Sequence, residues 1–171
     1  MAHGPIYRVP MRRRREGRTD YRLRLALLKS RKTRVVVRVT NNNTIVQFVD
    51  FDPAGDVIHA QATAQDLASK GWTGSGKSTP AAYLTGLLAA KRAAAAGIEA
   101  GVLDIGRRPP TRGGRLFAAL KGVVDGGIEV PHDESVVPSQ ERLTGAHLSK
   151  ETPAMVEKVK SSLDGAVSQD G

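Results

Sequence analysis

The sequence predicts an α/β fold, in which an antiparallel three-strand meander extends into a mixed sheet with helices packed on it. Three successive β-branched segments separated by turn residues predict the meander. Two later helices on either side of a short apolar strand predict its extension into a mixed sheet. We divide the 171 residues into a basic N-terminal arm (1–18), a globular α/β domain (19–130) and a polar, irregular C-terminal extension (131–171).

The N-terminal half is predicted to contain the arm, one short helix and the meander. Pro5 and Pro10 disfavour a helix in the arm, which we expect to be extended. Thr19 or Asp20 is a suitable N-cap for the short helix that follows. The predicted helix covers residues 21–30, and the predicted strands cover residues 33–40, 44–51 and 57–63. The strands are rich in β-branched residues and are separated by Asn, Asp, Pro and Gly, so we expect hairpins to connect them.

The C-terminal half alternates helices with short extended segments. A glycine- and serine-rich loop over residues 69–80 precedes an alanine-rich helix that Gly97 ends. The predicted segments are a helix over 81–96, a strand over 101–105, a helix over 116–124 and an extended piece over 128–130. Short helices near 139–147 and 153–163 are predicted within the extension, which is otherwise polar and acidic.

Positive charge is concentrated in the first fifth of the chain. Residues 1–38 contain 13 Lys and Arg against 2 Asp and Glu, a net charge of +11, whereas residues 39–171 have a net charge of −2. Self-repulsion opposes independent folding of such an arm, so it requires a polyanion. A membrane-bound segment would need bulky apolar residues opposite the charges, and residues 11–16 have no such face. The arm therefore favours nucleic acid, with a solvated tail or a nuclear-type signal as the alternative.

The composition excludes several kinds of site. The chain has no cysteine, which excludes disulfides, thiolate zinc sites and a cysteine nucleophile. Its four histidines show no ligand spacing, so we expect no metal, no cofactor and no catalytic residue. The segment His132-Asp133-Glu134 lacks an accompanying nucleophile and is interpreted as a surface loop. No run of about 18 apolar residues and no secretory signal is present, so we expect no membrane association.

One motif suggests a different function. Gly71 to Ser78, Gly-Trp-Thr-Gly-Ser-Gly-Lys-Ser, matches the phosphate-binding pattern G-x-x-x-x-G-K-[ST], and Val102-Leu103-Asp104 could serve as its metal-binding strand. Such a loop should follow a buried parallel strand, yet residues 65–70 are polar and helix-like. A small P-loop nucleotide-binding protein is therefore the alternative hypothesis. The favoured interpretation is a polar loop that matches the pattern by coincidence.

The candidate RNA-binding residues combine the arm with later basic segments. They are Tyr7, Arg8, Arg12, Arg13, Arg14, Arg15, Arg18, Tyr21, Arg22, Arg24, Arg31, Lys32, Arg34, Lys70, Trp72, Lys77, Arg107, Arg108, Arg112 and Arg115. The cations would neutralise phosphates. Tyr7 and Tyr21 would stack on unpaired bases or pack locally, and Trp72 would contact a base or ribose or form a hydrophobic plug. A solvated loop is the alternative for the four late arginines.

Several segments together resemble a known family. They are Arg12 to Tyr21 (RRRREGRTDY), Arg34 to Arg38 (RVVVR), Pro80 to Leu88 (PAAYLTGLL) and Val102 to Gly106 (VLDIG). In this order they resemble the archaeal and eukaryotic branch of the large-subunit ribosomal protein that carries 5S RNA, number eighteen in the universal naming. The resemblance spans about residues 5–148. One departure is Ser78, where family members commonly carry Asn before Thr-Pro.

The resemblance implies a structural constituent of the large ribosomal subunit, in the cytoplasm, rather than an enzyme. It implies that the basic arm binds 5S rRNA and that the protein helps attach this RNA to the large rRNA in the central protuberance. It also implies contacts with neighbouring large-subunit ribosomal proteins. From the residues alone, a generic basic module that binds RNA without selectivity remains a further alternative.

Overall fold

The structure, a computed structural model, describes residues 4–165. Residues 1–3 of the predicted arm and residues 166–171 of the predicted extension lie outside the described residues. Within the described part, the chain forms a mixed α/β fold, as the sequence predicts.

The arm departs from the extended conformation expected for it. Arg12–Arg15 form one helical turn, α1, because the carbonyl oxygen of Met11 accepts hydrogen bonds from the amides of Arg14 (2.9 Å) and Arg15 (3.1 Å). The two prolines precede this turn and so do not interrupt it. The next helix, α2, spans Tyr21–Lys29. Asp20 caps it as predicted: its Oδ1 accepts from the amides of Arg22 (3.0 Å) and Leu23 (3.2 Å).

The predicted meander is confirmed and becomes part of a mixed sheet. Its strands are β1 (Arg34–Val39), β2 (Thr44–Asp50) and β3 (Val57–Thr63). Adjacent strands of the meander pair antiparallel, and β4 (Val102–Asp104) pairs parallel with β1, so the described sheet has the order β3-β2-β1-β4. The extended piece predicted at 128–130 contributes one bridge, between Ala100 and Glu129.

Two long helices cover one face of the sheet. They are α3 (Thr79–Ala95) and α4 (Arg115–Asp125), and they pack closely on each other. A Cβ on Gly86 would lie 2.0 Å from the carbonyl oxygen of Ala119, and one on Gly122 would lie 2.0 Å from that of Tyr83. Both glycines are therefore required for the two backbones to approach this closely.

The C-terminal extension joins the same hydrophobic core. The two short helices predicted there are found as α5 (Gln140–Thr144) and α6 (Thr152–Gly165). Val156, Val159 and Leu163 on α6 are each at most 4% exposed and belong to the cluster formed by the sheet, α3 and α4. The polar composition of this segment conceals an apolar helical face that the core buries.

Candidate nucleic-acid interface

The arm, α2 and the loop after β4 meet around one cleft of about 370 Å³. Arg18 and Arg108, which are 90 positions apart in sequence, thus line the same cleft. The arginines that line this cleft, here called the arm cleft, are Arg13, Arg18, Arg24, Arg38, Arg107 and Arg108. A neighbouring cleft of about 350 Å³ adds Arg14 and Arg22. The structure therefore brings the two predicted basic segments together.

Local contacts hold the arm against the loop that carries Arg107. The Arg107 side chain lies so close to Gly17 that a Cβ there would be 2.9 Å from its Nη1. Gly17 also has a φ of +66°, a left-handed conformation that favours glycine. Arg13 Nε donates to Thr19 Oγ1 at 2.8 Å, which closes the turn between α1 and α2. The arm cations are thus positioned by a glycine and a threonine rather than by an apolar core.

The N-cap carboxylate Asp20, which lies among these cations, has a lowered pKa. The hydrogen bond from the Leu23 amide has the largest effect on it and lowers the pKa of Asp20 below its ordinary value of 3.8. The amide of Arg22 and the charges of Arg107 and Arg14 lower the same pKa further. The N-cap hydrogen bonds therefore lower this pKa more than the neighbouring arginines do.

Beneath the arm cleft lies a chain of alternating charges, here called the charged ladder: Arg24, Asp56, Arg34, Asp104 and Arg38. Arg34 is its centre, with Nη2 2.7 Å from Asp56 Oδ2 and Nη1 3.1 Å from Asp104 Oδ2. Arg24 Nη2 lies 2.8 Å from Asp56 Oδ1, and Arg38 Nη2 lies 3.1 Å from Asp104 Oδ1. The ladder links α2, the β2–β3 turn, β1 and β4.

The assignment of Arg34 to RNA is corrected by the structure. Its side chain is only 2% exposed, and carboxylates occupy both of its terminal nitrogens. A buried guanidinium needs such partners because an uncompensated buried charge is strongly destabilising. Arg34 therefore stabilises the fold. Arg24 and Arg38, at the ends of the ladder, remain partly exposed and line the arm cleft.

The ladder also changes the acidity of Asp56. Burial alone would raise the pKa of this carboxyl group, but hydrogen bonds from Arg34 and Arg24 outweigh that effect and hold the pKa below 3.8. Asp56 is thus ionised at neutral pH and binds α2 to the sheet through Arg24.

Several of the remaining predicted residues are exposed: Tyr7, Arg8, Arg12 and Arg15 on the arm, and Arg112 on the loop after β4. Tyr21 is half-buried. Arg31 and Lys32 lie at the α2–β1 turn, in a separate cleft that also contains Phe51. Arg31 has a φ of +55° there, which is uncommon for a residue other than glycine.

A groove of about 590 Å³ forms between the glycine-rich loop, the β1–β2 turn and α6. Three of the predicted residues line it: Trp72, Lys77 and Arg115. Trp72 is only 5% exposed, which favours the hydrophobic-plug interpretation for most of its ring. Lys77 is exposed at the rim, and Lys70 lies half-buried at the start of the loop. Arg115 Nη1 donates to the carbonyl oxygens of Lys77 (3.0 Å) and Thr40 (3.3 Å) and joins the loop to the sheet.

The glycine-rich loop does not have the setting of a P-loop. It follows the antiparallel strand β3 and a 3-10 turn at Asp66–Lys70. Ser78 Oγ donates to the carbonyl oxygen of Ser75 (2.8 Å) and accepts from the Ala81 amide (3.3 Å), so it caps α3. Asp104, the other residue that a nucleotide site would use, is occupied by Arg34 and Arg38.

Arg38 is the basic residue of the arm cleft that sequence reasoning missed. The predicted site contains Arg34, from the same predicted strand, but not Arg38. Alternation along β1 places Arg38 on the same face as Arg34, opposite the core valines. This alternation of side chains is visible in the sequence and indicates that Arg38 lies on the same face of β1 as Arg34.

Comparison with known proteins identifies the family. Residues 6–99 and 95–133 match the profile of the ribosomal large subunit proteins 60S L5 and 50S L18. The chain belongs to this family. Proteins named large ribosomal subunit protein uL18 are similar over most of their length: that of Korarchaeum cryptofilum is 56% identical over 149 residues, which cover 87% of this chain and 76% of the relative.

Two further relatives with the same name agree. The protein of Haloferax volcanii is 51% identical over 150 residues, which cover 88% of this chain and 82% of the relative. That of Methanothermobacter thermautotrophicus is 48% identical over 158 residues, which cover 92% of this chain and 82% of the relative.

Family membership makes this chain a ribosomal protein of the large subunit, in the cytoplasmic ribosome, and a structural constituent rather than an enzyme. Family membership and the geometry of the loop both argue against the alternative that Gly71 to Ser78 form the P-loop of a nucleotide-binding protein. Among residues 4–165, no group of three His, Cys, Asp or Glu side chains is arranged to hold a metal ion. The helices in this part are also too short or too polar to cross a membrane.

Proposed function

We propose that this protein binds 5S rRNA and helps attach it to the large rRNA in the central protuberance, next to other large-subunit ribosomal proteins. The observation that carries the proposal is the arm cleft, in which cations of the arm, of α2 and of the loop after β4 converge. Arginine clusters of this kind bind the phosphates of folded RNA and release counterions. The relatives named large ribosomal subunit protein uL18 and the resemblance to the 5S-binding branch support the choice of RNA.

The residues that we propose to contact RNA differ from those predicted from the sequence at two positions on β1. Arg34 is excluded because its charge is satisfied inside the protein, and Arg38 is added because it lines the arm cleft. Arg12, Arg13, Arg14 and Arg15 are exposed, and we assign to them the largest share of phosphate contacts. Since these four side chains take no part in the hydrophobic core, their removal should affect binding and leave folding intact.

The test is binding of the purified chain to 5S rRNA and to an unrelated hairpin of equal length across a salt series. The key variant replaces Arg12, Arg13, Arg14 and Arg15 together by Ala. A matched control removes four exposed cations of the extension. These control residues are Arg142, Lys150, Lys158 and Lys160. The arm variant should bind 5S rRNA about 100-fold more weakly, with a salt slope smaller by about 3, because about four phosphate contacts are lost.

The control should stay within about twofold of the unmodified protein, and both variants should keep the same melting temperature. Unaltered affinity of the arm variant for 5S rRNA would refute the proposed role of the arm. Equal and steeply salt-dependent binding of the unmodified chain to both RNAs would show a nonspecific polycation, which would contradict selective binding of 5S rRNA.

A further inference from the structure

A continuous basic path runs from the arm cleft to the groove at the glycine-rich loop. Arg108 lines the arm cleft and also a small cleft at the end of β1, where its Nη2 donates to the carbonyl oxygen of Val39. Arg115 lines that small cleft and also the groove. Shared lining residues therefore connect the three depressions. An RNA strand bound at the arm cleft can follow Arg108 and Arg115 into the groove.

The groove has the composition of a nucleotide-sized site with a positive rim. Its volume of about 590 Å³ lies within the usual range for small-ligand sites. Lys77 and Arg115 are its charged lining residues, and the described lining contains no carboxylate. The charge of the groove thus complements a phosphate and disfavours an acidic peptide.

Both apolar and polar side chains line the groove. Met155 and the 53% exposed Leu148 provide accessible apolar surface beside the enclosed Trp72. Asn41 and Ser75 add polar side chains to the lining. Planar bases prefer such a combination of apolar surface and a few hydrogen-bonding groups.

The tryptophan is held in place by the loop itself. Gly74 lies against the ring, so that a Cβ at this position would be 2.7 Å from Trp72 Cζ2. Thr73 Oγ1 lies 3.5 Å from Met155 Sδ and joins the loop to α6. Trp72 Nε1 is buried and has no hydrogen-bond partner within the described part of the chain. The site is therefore built jointly by the glycine-rich loop and α6, a helix beyond the family match that ends at residue 133.

We propose that this groove receives one unpaired nucleotide of the 5S rRNA bound at the arm cleft. The base contacts Leu148 and Met155, beside the enclosed Trp72 ring, and its phosphate lies between Lys77 and Arg115. This inference rests on the proposed function, because the RNA strand reaches the groove along the basic path. It also assigns a role to the sequence Gly71 to Ser78, whose lysine binds a phosphate of RNA rather than of a free nucleotide.

The test uses Trp72, the only tryptophan of the chain, as a probe. The full-length protein is titrated with 5S rRNA while tryptophan fluorescence and affinity are measured. Met155→Glu places a carboxylate in the groove, and Ala154→Glu, at an exposed position one residue away on α6, is the matched control. Mg²⁺ with ATP or AMP is titrated in parallel, and the melting temperature of each variant is compared with that of the unmodified protein.

We expect 5S rRNA to quench Trp72 fluorescence, since a base against Met155 and Leu148 alters the surroundings of the enclosed indole. Met155→Glu should remove most of this quenching and weaken 5S rRNA binding about tenfold, because the base loses an apolar contact and its phosphate meets a carboxylate. Ala154→Glu should retain both within about twofold. Millimolar mononucleotides should leave the fluorescence unchanged.

Full-affinity binding of 5S rRNA by Met155→Glu together with unchanged Trp72 fluorescence in the unmodified protein would overturn the groove proposal and leave the arm proposal intact. Quenching by mononucleotides alone would also overturn it in favour of a free-nucleotide site. Failure of the unmodified chain to bind 5S rRNA would overturn both proposals.

Discussion

The four arginines of α1 and Arg34 belong to the same basic segment, yet the structure uses them in opposite ways. The Arg12 side chain is 74% exposed, and its nearest carboxylate contact is a long one, 3.8 Å from its Nε to Glu16 Oε1. Arg34 is 2% exposed, with both terminal nitrogens bound to carboxylates. The positive charge of the arm is thus available to a partner, whereas that of Arg34 is neutralised by carboxylates within the fold. Charge density along a sequence therefore overstates the charge that a nucleic acid meets.

Arg34→Ala should have the largest effect. It leaves Asp104 buried beside only one remaining arginine, and loss of one partner from a buried ion pair costs about 3–5 kcal/mol of the free energy of unfolding. Urea denaturation measures this loss. The same substitution at exposed Arg15 should change the free energy by less than about 0.5 kcal/mol. Equal stability of the two variants would contradict the distinction between ladder and arm.

Asp56→Asn should destabilise the protein by about 2 kcal/mol at neutral pH, because charged hydrogen bonds from Arg34 and Arg24 are weakened. The folded-state pKa of Asp56 lies below its ordinary value of 3.8, so its ionisation stabilises the fold fully above that pH. This contribution is lost as pH falls through the folded pKa. The difference between variant and unmodified protein should therefore shrink below pH 3.8 in denaturation curves. A difference that is constant down to pH 2 would argue against the assigned ion pairs.

Arg107→Ala combined with Arg112→Ala should weaken 5S rRNA binding about tenfold and lower the salt slope by about 2, since two phosphate contacts are lost. Both residues are exposed, so the free energy of unfolding should hardly change. Electrophoretic mobility shifts at several salt concentrations measure the effect. Replacing Lys150 and Lys158 by Ala serves as the control. An equal loss in that control would show that total charge, rather than the position of these two arginines on the loop after β4, governs affinity.

Asp20→Ala should have the smallest effect on stability. Asp20 caps α2, the helix between the arm and the charged ladder, so this substitution tests whether α2 is coupled to the sheet. Loss of this N-cap destabilises the first turn of α2, because the amides of Arg22 and Leu23 lose their acceptor. No residue of α2 is fully buried, so the effect should be local. Hydrogen exchange of these two amides should accelerate while exchange in β1 stays unchanged. Acceleration in β1 would mean that α2 contributes to the global stability.

Much of the fold was predictable because it depends on neighbours in sequence. The strand over 57–63 was predicted at its observed bounds, and α3 begins two residues before the predicted start because Ser78 caps it. The one-turn helix at Arg12–Arg15 was missed because arginine repulsion and nearby prolines disfavour a helix, whereas hydrogen bonds to Met11 suffice for one turn. The core face of α6 was also missed, since its polar composition obscures the spacing of Val156 and Val159.

The candidate site was predictable in residue type but not in arrangement. Basic residues of the arm and of the loop after β4 could be named from the sequence, and some of them, Arg13, Arg18, Arg107 and Arg108, line one cleft. Alternation along β1 indicates that Arg34 and Arg38 share one face. The burial of Arg34 and the exposure of Arg38 could not be predicted, because both side chains pair with Asp104, 70 and 66 residues away. Local sequence carries no information about such partners.

The sequence by itself determined the class of fold, the order of its strands and helices, and the excess of positive charge at its beginning. Residue preferences, turn geometry and net charge act over a few neighbours, so they can be read from the chain directly. Only the tertiary structure decided which arginines are neutralised inside and which face outward. It also decided that Trp72 is enclosed between a loop and a helix about 80 residues apart. Burial and ion pairing depend on segments that only folding brings together, which is why the composition alone could not predict them.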